Sequence, residues 1–375
     1  MLTDADVAAV RERFPILRDW VYLYNCSQGA LSDAVEEGMR EYMASWKSST
    51  APWDEWVRKY EEIRGEFARF INAEPDEIAV VTSASAGINP IASALDFTSR
   101  DKVVMGEYEF PTMGQIWLAQ QQRGARVEFV RGMDNRIPFE AYEQAIDERT
   151  RIVAVTQVSF VNGFRSDVES VTRVAHERGA LVFLDGYQDC GTRPLDVKKL
   201  GVDFYVTGTL KYLLGPPGLA FLYVREGLAE EFNPPMTSWL AQREAFSFNP
   251  KKFDPAPCAR RFEGGSPPIP NIYAGSAALR LLSGVGLRNV AERVEALSRE
   301  FLRRVQELGL RVKTPGDTVG PLIVLQSDRA MEMVERLREL RIVVSPRLDG
   351  VRFAFHFYNT FEDVDRAVEA LKRLG

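Results

Sequence analysis

Between about residues 76 and 225 the chain switches repeatedly between two periodicities, and that switching restricts the fold more than any other feature. Short β-branched runs (EIAVVT, DKVVMG, ARVEFV, RIVAVTQV, ALVFLD, VDFYVTG and LAFLYV) alternate with stretches whose apolar residues recur at helical spacing (INPIASALDF, MGQIWLAQQQ, FEAYEQAI and VESVTRVAHERG). Runs that are apolar throughout belong to strands covered on both faces, and helices between strands make crossovers. The pattern predicts an α/β fold with a mostly parallel sheet flanked by helices. The last three runs follow one another without a long helix, so LAFLYV is expected as an antiparallel edge strand.

The flanking regions read differently. Residues 1–75 are mostly helical in pattern, most clearly in DEWVRKYEEIRGEFARFI. Residues 226–271 are rich in proline and aromatics and read as a long irregular connection. Two long helical patterns follow, then strands (LRVKT, PLIVLQ, IVVSP, VRFAF) alternating with MEMVERLREL and EDVDRAVEALKRL. The expected organisation is an N-terminal arm over 1–20, a large domain over 21–260 and a smaller C-terminal α+β domain over 261–375, on which the arm can pack.

Composition removes several function classes. A net charge of −6 over 375 residues argues against nucleic acid and against membrane surfaces as partners. No apolar run approaches the ~18 residues of a membrane span. The start, MLTDADVAAVRERF, carries acids within a helical pattern and lacks the form of a secretory signal, so the expected compartment is the cytoplasm. Cys26, Cys190 and Cys258 are odd in number with no CxxC, which fits a reducing compartment. With only His176 and His356, neither a metal site nor a Ser-His-Asp triad is expected. A nucleotide-binding oxidoreductase would need a glycine fingerprint with an acid ~20 residues later, and none occurs.

Three pieces of the large domain point to one place. Asp185 closes the apolar run ALVFLD, and ligands of open α/β sheets bind beyond such strand ends. In VVTSASAGINP a strand runs into small hydroxyl residues at a helix start, a suitable seat for phosphate. Lys211 stands in GVDFYVTGTLKYLLGPPGLAFLYV between two apolar runs. An ordinary lysine titrates near ~10.4, whereas burial and nearby cations turn it into a usable nucleophile. Each piece alone has a bland reading: a capping aspartate, a serine N-cap, a snorkelling lysine. Together they are the parts that pyridoxal 5'-phosphate needs: an amine for its aldehyde, a carboxylate for its ring nitrogen and a cradle for its phosphate.

The stretch LDGYQDCGTRPLDVKKLGVDFYVTGTLKYLLGPPGLAFLYV carries a D-x-x-Q-x-x-G…K-(W/Y)-L-x-G-P-x-G pattern. In this it resembles the class V aminotransferases of fold type I, the group of cysteine desulfurases, isopenicillin N epimerase-like proteins and kynureninase. The resemblance runs over nearly the whole chain. It implies that Lys211 is the Schiff-base lysine, that Asp185 pairs with the ring nitrogen and that Gln188 bonds the ring hydroxyl. It implies that Ser83, Ala84 and Ser85 form the phosphate loop. Phe110, in GEYEFPTMGQIW, would stack on the ring, where many relatives have histidine. RFEGGSPPIPN resembles the segment whose hydroxyl, here Ser266, reaches a partner subunit's phosphate, which implies a homodimer with shared sites. VRFAFHFYNT resembles the C-terminal element whose arginine, here Arg352, clamps a substrate carboxylate.

Departures from the family pattern bear on the reaction. Gly208-Thr209-Leu210 replaces the Ser-x-His that precedes the lysine in many relatives, leaving Thr209 to compensate at the phosphate. Phe160 stands where cysteine desulfurases have asparagine, with Asn162 nearby. VVSPRLDGVR contains no cysteine, so sulfur transfer through a persulfide there lacks its nucleophile. Cys26 and Cys190 read as packing, and Ser27, Gln28 and Trp53 are positional candidates for substrate contact. The expected activity is that of an aminotransferase or C–S (β-elimination) lyase acting on an amino acid, with an epimerase or racemase as the alternative. A non-catalytic binding module is the rival of another class.

Overall fold

The computed structural model describes residues 2–374. Its strands, in chain order, are β1 (Val21–Tyr22), β2 (Ile78–Val81), β3 (Lys102–Gly106), β4 (Arg126–Val130), β5 (Thr150–Thr156), β6 (Leu181–Asp185), β7 (Phe204–Gly208), β8 (Ala220–Val224), β9 (Leu322–Gln326), β10 (Ile342–Val343), β11 (Ser345–Arg347) and β12 (Gly350–Ala354). β2 to β8 form one seven-stranded sheet in the order β2-β8-β7-β6-β5-β3-β4. All seven expected runs are therefore in it. β8 is antiparallel as expected, but it is not the edge. It lies between β7 and β2 and pairs with both. β2 returns from the N-terminal side of the domain to cover it, a long-range pairing that local patterning does not announce. β8 is the single reversed strand, so six of the seven end on the same side.

Period-two alternation divides the sheet's side chains between two apolar layers. On β5, Val153 and Val155 join the layer containing Val104, Val182, Leu184 and Tyr205. Ile152 and Ala154 face the opposite layer with Met105, Phe183, Phe204 and Val206. The crossover helices include Ala84–Ala94, Pro111–Ala119, Phe139–Ala145 and Val168–Glu177. Their starts are marked chemically. Ser83 caps the first by accepting from Ala86 N–H, and Asp167 caps the last by accepting from Ser170 N–H.

β9, β11 and β12 make an antiparallel sheet in the order β11-β12-β9, while β10 pairs in parallel with β1. The expected strand LRVKT is reduced to a single bridge, Val312 to Leu325. A third apolar layer joins Phe301, Ile323, Phe353 and Val364 to Val21 and Leu23 from the other end of the chain. The N-terminal segment is tied there by polar contacts too, with Arg11 donating to the carboxylate of Asp363 and the carbonyl of Tyr358. Helix Ile269–Val285 instead buries Ile272, Tyr273, Leu279 and Leu282 in the layer of the large sheet. We propose on this packing that the two units divide near the junction with helix Leu287–Glu307. Among the described residues no helix is long and apolar enough to cross a membrane.

Candidate active site

Because six strands end on one side, residues just past those ends converge. Ser83 follows β2, Phe110 follows β3, Thr156 ends β5, Asp185 ends β6 and Lys211 follows β7. All five line one cavity of about 370 Å³, with Ala84, Ser85, Gln188 and Arg352 also in its wall. The cavity therefore collects most of the residues singled out in the sequence.

Lys211 sits in the turn between β7 and β8. The N-terminal segment clamps this turn from outside. Gly29 N–H donates to Leu210 O at 2.8 Å, and a side chain at Gly29 would run into the Lys211 carbonyl, 2.4 Å from where its Cβ would stand. Among the described residues the lysine amine has no hydrogen bond and no ion pair; it lies 4.4 Å from the ring centre of Tyr187 and 5.6 Å from that of Phe110. Burial pulls its pKa down to about 8, against the opposing charge of Asp185 and with help from Arg352 and Arg347. Asp185 is buried, and its Oδ1 accepts from Tyr187 N–H at 2.8 Å. Burial raises the Asp185 pKa, while that N–H and Lys211 hold it back.

The other expected contacts are open in a way that suits a phosphorylated pyridine aldehyde. Gln188 Nε2 donates to Cys26 O at 3.0 Å, but its buried Oε1 has no partner. The first N–H groups of helix Ala84–Ala94 have no intrahelical acceptor, and the hydroxyls of Ser83 and Ser85 flank them. Phe110 is 40% exposed, a large ring left uncovered at the wall, and Pro111 starts the next helix directly behind it. An amine, a carboxylate, an orphaned acceptor, an anion seat and an uncovered ring face one space. The donor set fits pyridoxal 5'-phosphate.

Arg352 comes from β12, in the three-stranded antiparallel sheet, yet is only 1% exposed. Its Nη2 donates to Ser27 Oγ at 2.8 Å and Ser345 Oγ at 2.6 Å, and Nη1 reaches Phe160 O at 3.4 Å. These partners are all uncharged, and the buried Nε has none. A buried guanidinium without a carboxylate is costly unless a ligand completes it.

Several expected residues lie elsewhere. Thr209 is buried outside the cavity wall, and its hydroxyl donates to the carbonyls of Pro216 and Leu219, so it does not replace the missing phosphate contacts. The turn LLGPPG needs that hydroxyl for its own shape. Ser266 is exposed and also outside its own chain's cavity. Asn162 is spent on Asn135 O and Phe164 N–H, while Phe160 lines the site. Of the positional candidates, Ser27 is in the wall, whereas Gln28 and Trp53 are not. Cys26 is buried but reaches the cavity, and Cys190 does not.

Other wall residues had no distinct sequence signal. Tyr24, Thr112, Tyr187 and Arg347 line the cavity. Glu109, beside it, is buried and accepts from Thr156 N–H at 2.6 Å, and burial together with Asp185 drives its pKa well up. That bond ties the loop bearing Phe110 to the end of β5. Glu109 and Tyr187 each neighbour a residue already chosen, which is the only clue the sequence offered.

Residues 21–319 match the family model for aminotransferase class V. The chain is 33% identical to the uncharacterized aminotransferase YcbU of Bacillus subtilis over 96% of both chains. It is 30% identical to a probable cysteine desulfurase of Methanothermobacter thermautotrophicus, over 80% of this chain and 76% of that one. The fold is similar to that of the apo cysteine desulfurase of Thermococcus onnurineus, with a TM-score of 0.90, 25% identity and coverage of 100% and 98%. With sheet, cavity and family model in agreement, the chain belongs to the class V aminotransferases, pyridoxal-phosphate-dependent enzymes of fold type I.

Proposed function

We propose that the enzyme acts on the α-amino group of an amino acid, as an aminotransferase or a C–S (β-elimination) lyase, with epimerisation as the alternative. One observation carries this reading. The unpartnered amine of Lys211 shares a cavity with the buried carboxylate of Asp185 and with a buried guanidinium, Arg352, that no carboxylate neutralises.

Bound here, pyridoxal phosphate supplies an aldehyde that captures amines and a ring that takes up the electron pair released at Cα. Lys211 would hold the aldehyde, Asp185 the ring nitrogen, Gln188 Oε1 the ring hydroxyl, and Ser83, Ala84 and Ser85 the phosphate. Phe110 and Tyr187 wall the ring. Lys211, held near 8, exists in part as free amine at neutral pH, which an ordinary lysine does not. Its amine faces the cavity, where it would take the Cα proton as general base. The Asp185 carboxylate would keep a proton on the ring nitrogen. Arg352 fixes the substrate carboxylate through paired N–H bonds and so orients Cα. The β11–β12 hairpin carries no thiol, so a sulfur substrate would release its sulfur to solution. Ser266, exposed and outside its own cavity, suits a cytoplasmic homodimer in which it completes the neighbouring copy's phosphate end.

A panel of amino acids, incubated with holoenzyme with and without a 2-oxo acid, tests the reading. Pyruvate or sulfide formed without acceptor identifies a lyase. New amino acid formed only with acceptor identifies an aminotransferase, and loss of optical purity alone an epimerase. No turnover of any amino acid would reject the proposal.

A further inference from the structure

Arg352 is not alone in lacking an anion. Arg347 ends β11, and the β11–β12 ladder sets its direction. Ser345 lies opposite Arg352, and Arg347 lies opposite Gly350. Ser345 and Arg347, two apart on one strand, share a face of the pleat. On that face Ser345 Oγ already accepts from Arg352 Nη2. The hairpin is closed by Leu348 and Asp349.

Arg347 lines the cavity beside Arg352, Tyr24 and Cys26, and lies within electrostatic reach of all three. Its guanidinium makes no hydrogen bond or ion pair among the described residues. The nearest carboxylate in sequence, Asp349, is occupied by Lys313 Nζ at 2.5 Å and Gln326 Nε2 at 3.2 Å. Among the described residues Asp185 is the only carboxylate in the cavity wall, and it faces Lys211 on the sheet side. Arg347 is exposed at the cavity's mouth, and partial desolvation together with the like charge of Arg352 disfavours its charged form. A substrate with a single carboxylate neutralises Arg352 and leaves Arg347 facing the cavity without an anion of its own. A second anionic group supplies one.

We propose that Arg347 is a second anion-binding residue, and that the site takes an amino acid, or a 2-oxo acid acceptor, with a carboxylate on its side chain as well as at Cα. This rests on the reading that Arg352 holds the α-carboxylate. Arg347 sets which side chain is accepted and takes no part in moving protons.

The holoenzyme is titrated with L-aspartate and L-glutamate, and with their amides L-asparagine and L-glutamine, while the cofactor's visible band is followed. Each acid is expected to half-saturate the shift at a concentration about tenfold below that of its amide, the scale of one hydrogen-bonded charge contact. Arg347→Gln is expected to erase that preference and leave amide binding within about twofold. Arg347→Lys keeps part of it. Equal half-saturation by acid and amide in the native enzyme overturns the assignment of Arg347 alone, as does a preference that survives Arg347→Gln. A band that none of the four amino acids moves also overturns the assignment of Arg347, while the amino-acid reading beneath it falls only if the wider panel is silent too.

Discussion

Two buried charge clusters of this protein have opposite characters. Near β2, Glu263 accepts from Tyr60 Oη, from Arg64 Nη1 and from Val80 N–H at 2.8 Å, while the same Arg64 nitrogen also reaches Ile78 O at 2.6 Å. Both charges are buried, and each carboxylate oxygen has a partner. At the ends of the parallel strands, Lys211 has no partner, Gln188 Oε1 is orphaned and the Arg352 Nε is bare. Burial alone does not separate these clusters. What separates them is whether the chain supplies the counter-charges itself. A closed network joins helix Trp53–Phe70, β2 and the segment before helix Ile269–Val285. An open one is kept ready for something that arrives from outside.

Removing a member of each cluster should therefore do different damage. Lys211→Ala is expected to lower turnover by on the order of 10⁴-fold, because the group that both captures and deprotonates is gone. In the cofactor-free protein its unfolding midpoint should change little, since loss of the buried stem is offset by relief of the amine's burial. A native-like rate in this variant, or borohydride labelling of a lysine other than Lys211, would break the comparison at its open end. Glu263→Ala should do the reverse. It leaves Arg64 buried without its anion, at a cost of about 3–5 kcal/mol in urea unfolding, with turnover per folded molecule retained. A loss below about 1 kcal/mol would mean that the closed cluster is not structural in the way proposed.

Arg352→Ala comes next in size. Carboxylated substrates should bind about 30-fold more weakly or worse, as expected for one lost charge-assisted pair, whereas primary amines without a carboxylate should be little affected. Equal weakening of both classes would point to collapse of the wall around Ser27 and Ser345 instead. A further effect is a pH dependence of the cofactor-free protein. The folded chain sheds the Lys211 proton at about 8, whereas the unfolded chain keeps it to 10.5. In that window the unfolded state binds more protons, so this residue makes stability rise with pH. Its penalty is full below about 8 and gone above 10.5. The stability difference between the native chain and Lys211→Met should trace that rise, and a flat difference would show the lysine already relieved of its burial.

The strand ends were readable in advance for a local reason. Parallel strands joined by crossovers present their C-terminal ends on one side, so Asp185 at the end of one apolar run and Lys211 after the next had to be neighbours. Ser83 to Ser85 follow from the same argument. Thr209 shows its limit. It sits two residues before Lys211, yet its hydroxyl is spent on the turn, because hydrogen-bond partners depend on the path of LLGPPG and not on spacing. β8 shows another limit, since nothing local tells a strand that a distant one will cover it.

The sequence by itself determined the layer architecture, the end of the sheet that carries the chemistry and the amine and carboxylate on which it turns, since each follows from periodicity and chain direction. Only the tertiary structure decided that Arg347 joins Arg352 in the cavity wall, while the Thr209 hydroxyl is spent on its own turn and Ser266 stays outside its own chain's cavity. Such facts depend on which distant segments pack together and which polar groups they leave unpaired, and partner state is a property of three-dimensional packing that no local pattern encodes.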